Sequence, residues 1–281
     1  MSESPPTDYA SLADEIAGWL RFQMDQIGAS RLVLGLSGGI DSAVVCALCT
    51  MAAGPTRVIA AIMPIHSRPD DVRDAELVAT AFEVLPRVID LVPAHDALIA
   101  AMPDDGASGL EDADVDPDRQ SVRRQLALAN VKPRLRMTSL YYLANRYNGL
   151  VVGTGNKTEL AIGYFTKYGD GGVDILPLGD LDKTAVRGLA RALGVPEPVI
   201  NKAPSAGLWE GQTDETEIGV TYDDLDRILA SFADERRREP TAPETMERIS
   251  SLVAESEHKR RPIPMFRRDT ADTVSSSGSR R

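Results

Sequence analysis

A short run of serine, glycine and aspartate between two apolar segments is the first place where this chain could do chemistry. The run is Leu36-Ser37-Gly38-Gly39-Ile40-Asp41-Ser42, with apolar Arg31–Gly35 before it and apolar Ala43–Cys49 after it. The flanking segments predict a buried strand and a buried helix. Adjacent glycines allow a sharp turn that brings backbone N–H groups near a ligand, and a helix start adds further donors. The run therefore predicts a phosphate-binding loop.

Asp41 is the unusual member of this loop, because a carboxylate repels phosphate unless a cation lies between them. Mg²⁺ is commonly held by one or two carboxylates together with substrate phosphates, so Asp41 predicts Mg²⁺. A plain Gly-Gly turn with a serine cap is the alternative. The Walker loop and the dinucleotide fingerprint do not match, because a following Gly-Lys-Ser/Thr and a third glycine are missing. The run resembles the pyrophosphate loop of the ATP pyrophosphatases, which cleave ATP to AMP and pyrophosphate.

A second polar, glycine-rich stretch, Gly153–Asp174, follows the apolar Leu150–Val152. In a parallel sheet the carboxyl ends of the strands share one edge, so Thr154 is expected beside the Ser37 loop. Glu159 is a candidate for the second carboxylate on Mg²⁺, and a solvated glutamate on a helix face is the alternative.

Strands alternate with helices along the chain, which predicts an α/β fold with a doubly wound, mostly parallel sheet flanked by helices, as in Rossmann-like proteins. We expect one domain over residues 1–266 and a disordered polar tail over 267–281.

Predicted strands cover 31–35, 58–63, 87–91 and 150–152, with a short extended piece at 174–178. Predicted helices cover 8–28, a stretch from 43 to Gly54-Pro55, 69–82, 94–102, 119–148, 182–193, 196–201, 222–233 and 243–257. Residues 103–118 are expected to form an exposed loop, and Pro133 predicts a kink or a break near 131–132.

Composition excludes several classes of function. The formal net charge of the 281 residues is −11, which argues against nonspecific nucleic-acid binding. No apolar run reaches membrane-spanning length and no signal peptide is visible, so we expect a cytoplasmic protein that binds no membrane.

Cys46 and Cys49 lie one helical turn apart in an apolar segment. No second pair completes a metal site, so buried reduced thiols are favoured over metal binding or redox cycling.

The two stretches and two further motifs together resemble the NAD⁺ synthetase family over most of residues 8 to 265. The further motifs are Asn130-Val131-Lys132-Pro133-Arg134-Leu135-Arg136-Met137 and Pro204-Ser205-Ala206-Gly207-Leu208-Trp209-Glu210-Gly211-Gln212-Thr213-Asp214-Glu215. The resemblance implies an adenine nucleotide alpha hydrolase-like fold and a C–N bond-forming ligase. Such enzymes convert deamido-NAD⁺ (nicotinic acid adenine dinucleotide), ATP and an amine nitrogen to NAD⁺, AMP and pyrophosphate with Mg²⁺. It also implies a homodimer with the substrate site at the interface.

The same resemblance implies the site residues. Asp41 and Glu159 match the metal ligands. ATP-binding residues would be Gly35, Leu36, Ser37, Gly38, Gly39, Ile40, Asp41, Ser42, Thr154, Lys183 and Ser205. Deamido-NAD⁺-binding residues would be Arg134, Lys167, Asp174, His258 and Lys259. The loop His66–Asp71 departs from the family pattern, so it receives no site residues, and His66 and His95 remain unassigned.

The chemistry suits these residue types. A nicotinate carboxylate becomes reactive when it attacks the α-phosphate of ATP and forms an acyl adenylate, and cations must cancel the repulsion between the two anions. Lys183 and Lys167 are the candidate lysines, with snorkelling surface lysines as the alternative. Ammonium must then lose a proton, for which Asp174 is the candidate, and Ser205 or Lys183 would stabilise the oxyanion. Residues 204–213 are expected to form a lid, or else a loop anchored by Trp209.

One alternative is excluded and two rival functions remain open from the sequence. Glutamine-dependent NAD⁺ synthetases carry an additional amidohydrolase domain, for which this chain offers no segment, so free ammonia is the expected donor. Another adenylating pyrophosphatase, such as the amination domain of GMP synthetase or a tRNA-modifying sulfur-transfer enzyme, shares the Ser37 loop. A non-catalytic nucleotide sensor is the rival of a different class.

Overall fold

The protein is described by a computed structural model over residues 8–102, 116–204, 214–233 and 241–266. Its centre is a four-stranded sheet in which every pairing is parallel. The strands are β1 (Arg31–Gly35), β2 (Val58–Ile62), β3 (Arg87–Val88) and β4 (Gly149–Val151), in the spatial order β3-β2-β1-β4. The predicted parallel α/β sheet is therefore confirmed.

Strand β1 is central, since Leu32 pairs with both Val58 of β2 and Leu150 of β4. The chain passes from β1 to β2 and β3 on one side, and β4 is added on the other side. The carboxyl ends of β1 and β4 thus flank the point where strand order reverses, which is where open α/β sheets bind ligands. An isolated parallel bridge from Val152 to Ile175 extends this edge.

Helices cover both faces of the sheet, as a doubly wound fold requires. The α-helices are α1 (Tyr9–Ile27), α2 (Ile40–Ala53), α3 (Pro69–Ala81), α4 (Val92–Ala101), α5 (Pro117–Tyr147), α6 (Lys157–Ile162), α7 (Lys183–Ala192), α8 (Glu197–Ile200), α9 (Asp214–Ile218), α10 (Tyr222–Ala233), α11 (Pro243–Glu255) and α12 (Glu257–Arg260). A 3₁₀ turn, Pro55–Arg57, precedes β2.

The alternation of side chains along β1 separates the two main cores. Leu32 and Leu34 point into a core shared with α1, α2 and α7, whereas Val33 packs in a second core with Leu140 and Leu143 of α5. A third, smaller core joins α9, α10 and α11 and includes Ile162 at the end of α6. Since α6 belongs to this smaller core, the segment after β4 is held between the sheet and the C-terminal helices.

Helix α5 is the main departure from the sequence prediction. Pro133 lies inside it, yet the helix continues from Pro117 to Tyr147, so the predicted break does not occur. Pro133 is buried, which lets packing compensate for the hydrogen bond that proline cannot donate. Strand β3 is shorter than the predicted 87–91, because only Arg87 and Val88 pair with β2.

Three short helices, α6, α9 and α12, were not predicted, and three predicted segments lie outside the described residues. Helices α6 and α9 lie in stretches whose polar sequences carry no apolar periodicity. Residues 103–115 of the predicted loop, 205–213 of the predicted lid and the tail 267–281 lie outside the described residues. Cys46 and Cys49 are buried free thiols, as predicted, and burial raises the pKa of Cys46 to about 12. No helix in the described ranges is long and apolar enough to cross a membrane.

Candidate active site

The loop after β1 is shaped by hydrogen bonds between its own serines and backbone. Ser42 Oγ donates to the carbonyl of Gly39 over 2.9 Å and accepts from the Ser37 N–H over 3.2 Å. Ser37 Oγ lies 3.1 Å from Ser42 Oγ and accepts from the Gly39 N–H over 3.3 Å. Gly39 is the N-cap of α2 and has no side chain to satisfy the first N–H groups of the helix. These groups are therefore available to an anion at the dipole's positive end.

Gly38 is the residue that only glycine suits in this loop. Its φ is +79°, and a Cβ there would overlap the carbonyl oxygen of Asp71 in α3. The phosphate loop is thus pressed against the first turns of α3, and a larger residue would separate the two.

Beyond β4, a capping box begins α6. Asn156 Oδ1 accepts from the Glu159 N–H over 3.0 Å, and Glu159 Oε2 accepts from the Asn156 N–H over 3.2 Å. The amide nitrogen of Asn156 then donates to Asp41 Oδ1 over 3.0 Å. This sequence pattern, Asn-x-x-Glu, is a recognisable helix start, so Glu159 is placed by a local rule that the sequence already contains.

Lys183 links the two carboxylates at the centre of the site. It is the first residue of α7, whose N-cap Asp182 accepts from the Ala185 N–H. Lys183 is only 1% exposed, and its Nζ lies 2.6 Å from Asp41 Oδ2 and 3.4 Å from Glu159 Oε1. The ammonium also sits 4.7 Å from the centre of the Tyr222 ring, a cation–π arrangement. The structure therefore brings together three predicted site residues from three separate elements.

Burial governs the ionisation of this cluster. Burial and the neighbouring Asp41 raise the pKa of Glu159 above its ordinary value, against the opposing attraction of Lys183. Burial alone would lower the pKa of Lys183, but Asp41 and Glu159 raise it overall, so the ammonium stays charged. Crowded buried carboxylates that favour added positive charge are typical of functional sites.

The carboxylate pair also fits a divalent cation. Asp41 and Glu159 supply hard oxygen ligands that converge on a single cation, the Lys183 ammonium, beside the start of α2. Mg²⁺ takes such carboxylates along with phosphate oxygens, so the donor set agrees with the ion predicted from the sequence. The mutual repulsion that raises the pKa of Glu159 would be relieved by a divalent ion.

Tyrosines and acids from α9, α10 and the turn after α6 surround the Lys183 cluster. Tyr222 OH donates to Asp214 Oδ2 over 3.0 Å. Tyr164 OH lies 3.1 Å from Asp214 Oδ1 and 2.8 Å from Glu217 Oε2. Burial raises the pKa of both phenols, so they stay protonated and act as donors. The sequence analysis assigned no role to these side chains. The contacts of Tyr164 join positions 50 and 53 apart, whereas Tyr222 and Asp214 are only eight positions apart.

The cluster opens into a cavity of about 480 Å³ lined by the phosphate loop, Thr154 and the middle of α5, from Leu126 to Leu140. Three residues missed by sequence reasoning also line it: Arg68, Asp71 and Lys202. Lys202 Nζ lies 2.8 Å from Asp71 Oδ1 and also pairs with Asp74, and its Nζ approaches the Gly38 carbonyl at 3.5 Å. Arg68 donates to Asp71 from Nε over 3.2 Å and from Nη2 over 3.0 Å. The loop that departs from the family pattern therefore contributes to this wall.

The residues expected to contact deamido-NAD⁺ fall into a second group. Lys167 Nζ donates to the His258 carbonyl over 2.7 Å, and Arg134 Nη2 donates to the Lys167 carbonyl over 3.3 Å. Lys259 Nζ donates to the carbonyls of Gly163 and Phe165 over 2.6 and 2.8 Å. Helix α5, the segment after α6 and α12 thus bring these four basic residues together.

Asp174 is placed apart from both groups. Its Oδ1 accepts from Tyr141 OH over 2.9 Å and its Oδ2 accepts from the Val151 N–H over 2.8 Å. The residue is exposed, and within the described ranges Val173 lines the cavity whereas Asp174 does not. Burial and Asp174 raise the pKa of Tyr141 to about 12. Ser205 lies outside the described residues.

A parallel sheet with a Ser-Gly-Gly-x-Asp-Ser loop at its switch point, completed by a lysine and a second carboxylate, defines a nucleotide-binding protein of the ATP pyrophosphatase class. The family model described as NAD synthase matches residues 12–263. The chain belongs to the NAD synthase family.

Relatives with assigned names agree with this membership. The NH₃-dependent NAD⁺ synthetase of Carboxydothermus hydrogenoformans is 45% identical over 256 residues, covering 90% of this chain and 96% of the relative. That of Archaeoglobus fulgidus is 42% identical over 262 residues, covering 92% and 98%.

Solved structures agree as well. The structure of an NMN synthetase from Francisella tularensis has a TM-score of 0.79 and 34% identity, covering 92% of this chain and 99% of that one. A glutamine-dependent NAD⁺ synthetase from Acinetobacter baumannii has a TM-score of 0.63 and 28% identity, covering 95% of this chain but 48% of that one.

Proposed function

We propose that this chain is an ammonia-dependent NAD⁺ synthetase. It would amidate deamido-NAD⁺ to NAD⁺ through an acyl-adenylate intermediate and release AMP and pyrophosphate, the last step of NAD⁺ biosynthesis. The observation that carries the proposal is the buried contact of Lys183 with both Asp41 and Glu159 beside the phosphate loop. The family membership and the named relatives support it.

The phosphate loop would hold the triphosphate of ATP. The free N–H groups at the start of α2 and the hydroxyls of Ser37 and Ser42 face the carboxyl end of β1, where an anion is favoured. Asp41 and Glu159 would hold Mg²⁺, which supplies charge neutralisation for the phosphates when bound. Thr154 lines the same cavity and is the proposed contact from the β4 side.

Lys183 is proposed to stabilise the charge that develops when the nicotinate oxygen attacks the α-phosphate. Its ammonium is already desolvated and fixed by two carboxylates and the Tyr222 ring, so little reorganisation accompanies the reaction. Arg134, Lys167, His258 and Lys259 would hold the dinucleotide anion. Lys259 lines the cavity, and its hydrogen bond to the Gly163 carbonyl supports this role because it fixes the ammonium there. Lys167 is held close to Lys259 by its hydrogen bond to the His258 carbonyl.

The second step requires neutral ammonia. Asp174 follows Val173, which lines the cavity, and is proposed to hold ammonium and accept its proton. Its exposed position beside the end of β4 supports access from solvent. Because both of its oxygens already accept hydrogen bonds, Asp174 is held in a single orientation. Ser205 and Lys183 are the proposed donors to the tetrahedral oxyanion.

We also propose a homodimer in the cytoplasm with the dinucleotide site at the subunit interface. Exposed apolar residues support an interface: Val122 and Tyr142 on α5 and Phe266 after α12 are all more than half exposed. The net charge of −11 supports the expectation that nucleic acid is not a partner.

The decisive experiment is NAD⁺ formation with ammonium or glutamine as the sole nitrogen source, with pyrophosphate release measured in parallel. We expect NAD⁺ and pyrophosphate in equal amounts with ammonium and no NAD⁺ with glutamine. Robust use of glutamine by the pure chain would overturn the ammonia assignment, and an absence of pyrophosphate would favour a nucleotide sensor.

The similarity to an NMN synthetase raises a second candidate, in which the mononucleotide replaces the dinucleotide. The two substrates share the reacting carboxylate and differ in the adenosine half. Comparison of kcat/KM for nicotinic acid mononucleotide and for deamido-NAD⁺ separates them, and we expect the dinucleotide to be preferred by at least tenfold.

A further inference from the structure

Two of the three histidines in this chain meet an aspartate on the outer side of the β2–α3 loop. His66 lies in that loop, whereas His95 and Asp96 lie in α4. The three side chains are not part of the ATP or dinucleotide groups described above. In the described parts of the chain they are the one set of at least three His, Cys, Asp or Glu side chains spaced closely enough to hold a metal ion.

The ligand atoms converge on one oxygen. His66 Nε2 lies 2.7 Å and His95 Nδ1 lies 2.9 Å from Asp96 Oδ1. The two rings meet edge to face, with centroids 5.5 Å apart and planes inclined by 76°. The nitrogens and the oxygen all lie within 4.8 Å of one another. The three ligand atoms therefore form a compact triangle that a single ion could contact.

The backbone holds His66 in place for this contact. Its φ is +50°, a left-handed conformation that is uncommon for residues other than glycine, although histidine adopts it more readily than most. The following Ser67 Oγ accepts from the Ile65 N–H over 3.2 Å, which closes the turn. Local backbone strain of this kind is found at sites where a side chain must be aimed.

We propose that His66, His95 and Asp96 form a surface site for a divalent transition metal of the zinc class, separate from the Mg²⁺ site at Asp41 and Glu159. Ligands about 2.0–2.1 Å from a tetrahedral zinc lie roughly 3.3 Å apart. The observed hydrogen-bonded separations are slightly shorter than this, and the 4.8 Å limit between ligand atoms is longer. To admit the ion, the two nitrogen–oxygen distances must lengthen by about half an ångström.

The chemistry of the donors selects the metal. Imidazole nitrogens suit Zn²⁺, Ni²⁺, Co²⁺ and Cu²⁺, whereas Mg²⁺ prefers oxygen ligands and octahedral geometry. Each imidazole must present a lone pair to the ion, so the proton that now bonds Asp96 moves to the other ring nitrogen.

The exposure of the three side chains gives the ion access. His95 is 12% exposed and forms the base, while His66 and Asp96 are 50% and 53% exposed and form the rim. Three protein ligands leave a fourth position for water. Because Ser67 and Arg68 of the same loop line the nucleotide cavity, a bound ion would tie that cavity wall to α4.

The test is a titration of tag-free, full-length protein with Co²⁺, followed by visible absorption, and with Zn²⁺, followed by calorimetry, both in saturating Mg²⁺. The comparison variant is His66→Asn combined with His95→Gln, since asparagine tolerates the left-handed backbone of His66. We expect one equivalent of Co²⁺ with ligand-field bands, and at least tenfold weaker binding in the double variant. Zn²⁺ should raise the Tm of the wild-type chain and not that of the variant.

The control is His258→Gln, which removes the third histidine and should leave the Co²⁺ titration unchanged. The double variant retains Asp41 and Glu159, so metal binding at those carboxylates is common to both titrations and cancels. Identical Co²⁺ and Zn²⁺ curves for the wild-type chain and the double variant would overturn the proposal. Equal loss of binding in His258→Gln would overturn it as well.

Discussion

The side-chain amide of Asn156 donates to Asp41 Oδ1 over 3.0 Å and so connects the loop after β1 with the segment after β4. The amide oxygen of the same residue caps α6, the helix that carries Glu159. One side chain therefore sets the separation of the two carboxylates on which Mg²⁺ binding is proposed to depend.

Asp41→Asn should fold normally and lose most turnover. The amide keeps the volume of the carboxylate and can still contact Asn156, but it is a poor ligand for Mg²⁺ and a weak partner for Lys183. We expect kcat/KM for NAD⁺ formation to fall by at least about 100-fold, the scale of losing one electrostatic group in an active site. Steady-state assays over a Mg²⁺ series measure it, and an unchanged kcat at saturating Mg²⁺ would show that Asp41 is not a metal ligand.

Lys183→Met should be destabilising as well as inactive, because it leaves Asp41 and Glu159 buried without their ammonium. Removal of one partner from a buried ion pair typically costs about 3–5 kcal/mol. The matched control is Lys157→Met, since Lys157 pairs with Asp180 over 2.8 Å at the surface and is 57% exposed. Such exposed pairs contribute about 0–1 kcal/mol. Urea unfolding of both variants measures the difference, and equal midpoints would contradict the assignment of Lys183 as a buried charge.

Glu159→Gln should stabilise the protein at alkaline pH while abolishing activity. The folded-state pKa of Glu159 is raised by burial and by Asp41, so the wild-type chain loses stability as pH rises from the unfolded value of about 4.3 through the folded value. Glutamine removes that loss. In EDTA at pH 8 we expect the variant to be more stable by at least about 1 kcal/mol, with no advantage at pH 4.

Thermal unfolding from pH 4 to pH 8.5 measures this dependence. The matched control is Glu247→Gln, which changes an exposed residue of α11 and should follow the wild-type curve. A Glu159→Gln variant that is less stable than wild type at every pH would show that the carboxylate is stabilising, contrary to the direction of its pKa.

Gly38→Ala should disrupt the phosphate loop, whereas Gly28→Ala should be tolerated. Both glycines have positive φ, +79° and +71°, but a Cβ at Gly38 would meet the Asp71 carbonyl and one at Gly28 would meet nothing within 4 Å. The backbone strain is thus common to both, at roughly 1 kcal/mol, and the clash is specific to Gly38. We expect ATP affinity to fall at least tenfold only in Gly38→Ala, measured by calorimetry. Equal effects of the two substitutions would refute the close approach of α3.

Local signals explain what could be predicted from the sequence. Apolar runs predicted β1, β2 and β4, and Gly54-Pro55 predicted the end of α2, because each depends on neighbouring residues. Asp41 was predicted as a metal ligand because a carboxylate beside a phosphate loop indicates a cation, and Glu159 was predicted as its partner. The structure places both carboxylates around Lys183, and their role as metal ligands stays a prediction. Their common partner Lys183 came from the family resemblance, because its contact with Asp41 spans 142 positions.

Tertiary contacts explain what could not be predicted. Asp71, Lys202 and Arg68 reach the cavity through interactions between α3 and the end of α8 that no periodicity indicates. Helix α5 passes through Pro133 because surrounding side chains bury that proline, and such compensation is invisible in the sequence. Helix α6 was missed, although its Asn156–Glu159 capping box is a local signal that could have identified it.

The contacts of Lys259 link the end of the described chain to the middle of the molecule. The turns from Gly163 to Gly172 contain no regular helix or strand, and Lys259 secures two of their carbonyls from α12. Lys259, almost a hundred positions downstream, therefore helps to fix the backbone path of these turns. We therefore expect a truncation ahead of Lys259 to weaken binding at the proposed dinucleotide site more than at the phosphate loop, because the loop has no contact with Lys259 among the hydrogen bonds of the described residues.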